Sequence, residues 1–438
     1  MLLLHLSDIH FRKDQVGTAM DPNAHLRNEL LRDAVDQCSR IGRAPDALLL
    51  SGDIAFSGDK AEYEYAVAWL EDLCARCGTD LSAVFVIPGN HDVVRSIASR
   101  RLVQTLHRDI KATRAPALDD TLRGVLTDPT TGPLLYEAIG PYNAFAGQFF
   151  CDLITPARTI AKRDLVLNDG SILRISGFNS AFLSSAHDQA GDLFVDPACF
   201  QLTRHNNVQH LVMCHHPYNW LRQGEALQDY LNDIAFLQLF GHEHTNRIHI
   251  GRDHIRIAAS AAHPDRTEPG WEPGYNLISL NVDGLCDQRR MELDIRVRVW
   301  QSRPGEFRAK TDRGNESFRQ TIPLPAWTAP VQVAEPHHVT DEHAIEIVSS
   351  AGSNSARTDP MDSLREISIR FFKLTLSQKS AIAGKLNLLE DEDVDQPDFE
   401  RFRRVFMRAR ERGLVEQLDK EVTEAARGAK AGGGNGSN

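Results

Sequence analysis

No stretch of this chain approaches the run of about eighteen apolar residues that a membrane helix needs, so no membrane partner is expected. The opening Met1-Leu2-Leu3-Leu4-His5-Leu6 is apolar, but it lacks a basic start and meets charge at Asp8. A buried first strand is expected there rather than a secretion signal. Cysteine is sparse: Cys38, Cys74, Cys77, Cys151, Cys199, Cys214 and Cys286 form an odd set without framework spacing. That excludes a disulfide-built scaffold and fits a reducing cytoplasm. The Cys74-x-x-Cys77 pair has no second pair to complete a zinc site. Positive charge is also short, with 49 basic against 60 acidic side chains and a net charge of -11. A general nucleic-acid coat is excluded, although a local basic patch remains open to one. No internal repeat is visible.

What the sequence does have is a series of short apolar runs that stop on polar residues. Leu2 to Leu6 ends in Ser7-Asp8-Ile9-His10. Ala47 to Leu50 ends in Ser51-Gly52-Asp53. Ala83 to Ile87 stops at Pro88-Gly89 and delivers Asn90-His91-Asp92. Val208 to Cys214 ends in His215-His216, and Ile234 to Phe240 in Gly241-His242-Glu243-His244. Apolar runs without alternation fit strands covered on both faces. Helical spacing appears over roughly 23–41 and 60–77. Ile172 to Phe178 is another strand, and β-like runs at 247–250, 255–260, 275–282 and 291–300 suggest antiparallel pairing.

In an open α/β sheet, ligands bind beyond the carboxyl ends of the strands. Five strand ends carrying the same kinds of polar group can therefore meet in one place. Asp8, His10, Asp53, Asn90, His215, His242 and His244 offer more oxygen and nitrogen ligands than one zinc needs. They suit two divalent metal ions sharing a carboxylate, with Asp53 central in the order. Such a pair clamps the attacking and leaving oxygens of phosphoryl transfer. Ligation by His, Asp and Asn without Cys suits manganese, with iron, zinc or nickel as alternatives.

The remaining segments are read by composition. Residues 95–165 look helical and irregular, and form an insert able to overhang the site. Arg95, Arg100, Arg101, Arg108, Lys111 and Arg114 make it basic; a solvated helix face competes with contact to substrate phosphate, for which Arg95, Arg100 and Arg101 are the candidates. Prolines after Thr321 mark a linker over 321–361. Residues 362–427 read as about four helices, opened by a Ser363–Glu366 capping box. Arg401, Arg403, Arg404, Arg408, Arg410 and Arg412 give one helix a basic, solvated or partner-facing side. Residues 428–438 are expected to be disordered.

The combination Asp8-x-His10, Gly52-Asp53, Gly89-Asn90-His91-Asp92, His215-x-Pro217 and Gly241-His242-x-His244 resembles the calcineurin-like metallophosphoesterases over roughly residues 1–300. The resemblance implies a four-layer α/β/β/α sandwich as catalytic domain (1–320), followed by the small all-α domain. It implies that Asp8, His10, Asp53 and His244 hold one metal, and that Asp53, Asn90, His215 and His242 hold the other. His216 is the less favoured ligand of its pair. His91 corresponds to the non-ligand histidine that stabilises the transition state or protonates the leaving oxygen, with Asp92 orienting it through a hydrogen bond. The implied nucleophile is a metal-bridging hydroxide. Gly52 to Gly58 with Glu62-Tyr63, and the Cys-His-His-Pro form, look like the cyclic-nucleotide phosphodiesterase branch. The expected substrate is thus a phosphodiester: a cyclic nucleotide, DNA or RNA. The helical unit resembles small death-like adaptor domains of bacterial defence effectors, which implies a protein partner and raises the alternative of a recruited nuclease. A phosphomonoesterase and a catalytically vestigial scaffold complete the alternatives.

Overall fold

The fold is seen in a computed structural model that describes residues 1–265, 270–329 and 360–432. Among the described residues thirteen strands occur in chain order: β1 (Leu2–Leu6), β2 (Ala47–Leu50), β3 (Val84–Val86), β4 (Ile160–Val166), β5 (Ile172–Phe178), β6 (Val208–Cys214), β7 (Ala235–Phe240), β8 (Arg247–Ile250), β9 (Ile255–Ala258), β10 (Gly274–Asp283), β11 (Arg290–Ser302), β12 (Gly305–Ala309) and β13 (Phe318–Pro323). They form two mixed sheets. The first runs β12-β11-β10-β1-β2-β3, with β13 also paired to β11. The second runs β4-β5-β6-β7-β9-β8. In the first, β1, β2 and β3 are parallel to one another and β10 returns antiparallel to β1. In the second, β5, β6, β7 and β9 are parallel between antiparallel edge strands.

The uninterrupted apolar runs are explained by this layering. In β6, Leu211 and Met213 join the core shared by the two sheets, while Val212 and Cys214 face a second cluster under the helix Gly224–Ile234. Both faces of the strand are thus covered, and no position calls for a polar residue. The helices Ala24–Ile41 and Lys60–Arg76 cover the other sheet with Leu26, Leu30, Leu31, Leu70 and Leu73. Burying each such leucine contributes about 1.5–3 kcal/mol. The second of these helices starts on a capping box, with Asp59 and Glu62 bonding reciprocally.

Four helices, Pro360–Phe372, Leu376–Lys385, Asp398–Glu411 and Val415–Gly432, form the C-terminal unit around Leu364, Phe371, Phe402, Phe406, Leu418 and Val422. Phe150 from the sheet-bearing part completes this core. Asp152, fully buried beside it, is paired with Arg158 and with Arg403 (2.6 Å).

Several expectations are corrected. Strand β4 lies inside the segment read as helical insert; Lys162, Arg163 and Asp164 mask its alternation, and Arg163 is buried with its Nη1 on the Ser82 carbonyl (2.8 Å). β13 crosses the expected boundary at 320, and Leu324 and Pro325 are still bonded to Arg289, so the sheet-bearing part continues into the expected linker. Ser363 lies inside a helix that starts at Pro360 rather than at its N-cap. The arginines of Asp398–Glu411 do not form a free basic face. Arg408 is turned onto Asp393 and the Leu388 carbonyl, Arg404 onto Glu400 (2.9 Å), and Arg403 onto Asp152. Residues 428–432 continue the last helix, where a tail was expected. Most of the linker (330–359) and the rest of the tail (433–438) fall outside the described residues.

Candidate metal centre

The five polar strand ends meet at the seam of the two sheets. Asp8, Asp53 and Asn90 come from the first sheet; His215, His242 and His244 come from the second. Continuous backbone bonding carries the chain past the strand ends: Asp8 N–H donates to the Gly52 carbonyl (3.1 Å) and His10 N–H to the Asp53 carbonyl (3.0 Å). Gly241 N–H donates to the His215 carbonyl (3.0 Å). Asp8, His10, Asp53, His242 and His244 all have φ between 52° and 70°. Left-handed backbone is uncommon outside glycine, and residues held there cluster at functional sites. The kinks turn these side chains out of the strand register toward one place. Gly52 and Gly89 leave the room: a Cβ on the first would strike the His215 ring, and one on the second the Asp53 carboxylate.

Asp53 stands between two groups of donors. Its Oδ2 lies 3.4 Å from His10 Nε2 and 3.3 Å from His215 Nε2, and its Oδ1 accepts the His91 N–H at 2.7 Å. On one side, His244 Nε2 is 3.2 Å from Asp8 Oδ1. On the other, Asn90 Oδ1 lies 3.0 Å from His242 Nδ1, 3.1 Å from His215 Nε2 and 3.2 Å from His216 Nε2. The ligand atoms of Asp8, His10 and His244 lie within 4.8 Å of one another, as do those of Asp8, Asp53 and His215, and those of His215, His216 and His242.

This donor set fits cations. His215 gives its Nδ1 hydrogen to the Ser51 carbonyl at 2.8 Å. In the neutral ring Nε2 is then a bare acceptor, and it faces two further acceptors, Asn90 Oδ1 and Asp53 Oδ2. Acceptors converge in this way only around a proton or a metal ion. Burial opposes a charge on His215, but the Asp53 carboxylate overcomes it and lifts the ring to about 9. A divalent cation would answer the same demand. Burial, helped by the His215 charge, pushes His242 down to about 4. Deprotonated imidazole is the form that binds metal.

His91 and Asp92 are adjacent and do different work. The His91 ring bonds through Nδ1 to the Phe56 carbonyl (2.8 Å), stacks on Phe56 (centroids 5.0 Å) and lies edge-on to His10 (4.7 Å). Burial lowers its pKa, against the pull of Asp53. Asp92 does not orient this ring. Its Oδ2 accepts from Gly89 N–H (2.9 Å) and Ile54 N–H (3.3 Å), and its Oδ1 from Ala55 N–H (3.0 Å) and the Tyr63 hydroxyl (2.9 Å). Three of the donors are backbone amides of the loops after β2 and β3 and the fourth is a side chain of the helix Lys60–Arg76, so Asp92 fastens to that helix the loops that carry Asp53 and Asn90. Burial, together with the Asp53 charge, raises it to about 6.

Of the basic candidates, Arg95 is exposed and its charge bears on His91. Arg100 is engaged by Glu137 (2.5 Å), and Arg101 is exposed at the start of the helix Arg101–Ala112. The insert is tied to the segment after β6: Arg222 Nη2 donates to the Lys111 carbonyl (3.0 Å), and Gln223 Nε2 to Asp119 (3.1 Å).

Two residues take a larger part than the sequence suggests, where His216 is only the less favoured ligand of its pair. His216 comes as near Asn90 as His215 does, and its Nδ1 lies 2.8 Å from Ser180 Oγ. The doubled histidine was the only signal for it. Phe56 acts through a backbone carbonyl, which side-chain type does not reveal. The loop presenting that carbonyl is held by Glu62, whose carboxylate accepts from the N–H groups of Phe56, Ser57 and Asp59 (3.2, 2.9 and 3.2 Å).

The GTPase-associated adaptor domain matches residues 363–424, within the helical unit. A 94-residue stretch is 36% identical to the glycerophosphodiester phosphodiesterase GpdQ of Enterobacter lignolyticus, covering 21% of this chain and 30% of that protein. The match therefore spans less than a third of that relative. Among solved structures, Vps29 of Chaetomium thermophilum superposes with a TM-score of 0.29 at 11% identity, over 74% of this chain and 99% of its own. GAP50, the anchor in the inner membrane complex of Plasmodium, does so with a TM-score of 0.37 at 11% identity, over 75% and 89%. The calcineurin-like phosphoesterase family matches residues 1–246, more than half of the 438-residue chain, and the chain belongs to that family.

Proposed function

We propose that the chain is a two-metal phosphodiesterase. The observation that carries this reading is Asp53, whose carboxylate faces His10 on one side and His215 on the other. Asp8, His10, Asp53 and His244 would hold one cation, and Asp53, Asn90, His215 and His242 the other, with His216 beside them. Bound divalent cations neutralise charge on a phosphoryl group and make water a strong nucleophile near neutral pH. The chain supplies the rest. Its Nδ1 hydrogen committed to Phe56, His91 has Nε2 left to carry a proton toward the leaving oxygen. Asp92 keeps Asn90 and Asp53 at fixed separation. Arg95 adds positive charge where a phosphate ester enters.

A diester is favoured over a monoester by the 36% identical stretch of a glycerophosphodiester phosphodiesterase. A long nucleic-acid strand is disfavoured by the pairing of Arg100 with Glu137 and by the net charge of -11. The adaptor-domain match supports recruitment to a protein partner through 363–424. The test is turnover of bis-p-nitrophenyl phosphate and p-nitrophenyl phosphate by metal-stripped protein given Mn²⁺, Fe²⁺, Zn²⁺, Ni²⁺ or Co²⁺. Faster turnover of the diester supports the reading; turnover of the monoester alone, or of neither, refutes it.

A further inference from the structure

Two half-buried aromatic side chains touch histidines of this centre, Phe56 and Trp220. Phe56 is occupied: His91 stacks on it, and the Arg12 guanidinium lies 3.6 Å from its centroid. Trp220 is placed differently. Its indole lies 4.1 Å from the His242 ring centroid at an interplanar angle of 81°, and 6.0 Å from His216, tilted by 36°. It therefore borders the Asn90 side of the centre, opposite the Phe56–His91 stack.

The backbone beneath it is firmly held. His215-His216-Pro217 runs directly into a short 3₁₀ turn, Tyr218–Trp220, in which Trp220 N–H donates to the Pro217 carbonyl (3.0 Å). The Trp220 carbonyl accepts from Leu193 N–H (3.1 Å), and Arg222 N–H donates back to the Leu193 carbonyl (2.8 Å). A large aromatic surface is thus fixed beside the reacting centre and left partly open to solvent. The indole packs on the rim of the adjacent core of Val212, Leu221, Leu227 and Phe240 and remains half-buried.

We propose that Trp220 is a specificity-determining residue: it stacks against a nucleobase carried by the diester, on the His242 side of the phosphorus. This rests on the phosphodiesterase reading above. Every base has a π-face, so one fixed indole favours nucleoside-bearing esters without selecting among bases. The acidic chain and the engaged Arg100 make the substrate a short nucleotide rather than a polynucleotide strand.

The test uses two esters with one leaving group: thymidine 5′-(p-nitrophenyl phosphate) and methyl p-nitrophenyl phosphate. Full-length protein with Mn²⁺ should favour the thymidine ester in kcat/KM. In Trp220→Leu the ratio of the two values should fall about 10-fold or more, the range expected for loss of one base stack. Trp220→Phe, which keeps an aromatic face, should hold most of the ratio. A second readout does not depend on the leucine variant folding: thymidine 5′-monophosphate should quench the tryptophan fluorescence of the native protein and leave that of Trp220→Phe nearly unchanged. No preference for the thymidine ester in the native protein overturns the inference. So does an equal fall for both esters with loss of bound Mn²⁺, which would make Trp220 a prop for His242. Hydrolysis of neither ester overturns the phosphodiesterase reading instead.

Discussion

The Tyr63 hydroxyl donates to Asp92 Oδ1 across 2.9 Å, joining the helix Lys60–Arg76 to the loop that presents Asn90 and His91. Tyr63 is itself stacked on Phe145 (5.0 Å), and Phe145 packs edge-on against Phe149 (5.2 Å). Asp92 is fully buried and accepts four hydrogen bonds, which offset part of the cost of burying its charge beside Asp53.

Tyr63→Phe removes one of these donors and leaves the ring in place. The expected loss is about 1.5–3 kcal/mol of stability, since a hydrogen bond to a charged group contributes in that range. Asp92→Asn should cost more, because its amide hydrogens confront backbone donors. Urea unfolding of the two variants measures both. An Asp92→Asn protein as stable as the native one would show that the carboxylate does not fasten these loops.

His91→Ala should keep its metals and lose most of its turnover, by roughly 10²- to 10⁴-fold, as general acid–base groups contribute. The ring is held by Phe56 rather than by Asp92. Metal content by mass spectrometry, alongside turnover of bis-p-nitrophenyl phosphate, separates the two effects. Loss of metal together with turnover would make His91 a ligand.

Asp152 lies between Arg158 and Arg403 and has no exposed surface. Removing one partner of a buried ionic group costs about 3–5 kcal/mol. Asp152→Ala should therefore lower the unfolding midpoint markedly and loosen the C-terminal helices from the sheet-bearing part. Limited proteolysis reports the second effect. A variant with native stability and an unchanged cleavage pattern would mean that the pair does not hold the two parts together.

Much of the site was legible because each apolar run ends where a ligand-type residue begins. Asp8, Asp53, Asn90, His215 and His242 each follow a strand in the sequence and converge in space. What the sequence hides is of four kinds. Strand ends reveal that groups meet, but not that β1–β3 and β6–β7 belong to different sheets. Composition shows a basic helix at 401–412, but not that Arg403, Arg404 and Arg408 turn inward to acids distant in sequence. Side-chain type suggests that Asp92 orients its neighbour, whereas its partners are three backbone amides and Tyr63. Strands β4 and β12 went unread because charged and glycine-containing segments conceal their alternation.

The central claim is that Asp53 serves both halves of the centre. It is tested most directly by counting metals on metal-stripped chains reloaded with Mn²⁺ and freed of excess ion. Native protein is predicted to retain two per folded chain, and folded Asp53→Ala close to none. Two tightly held ions in Asp53→Ala would contradict the account.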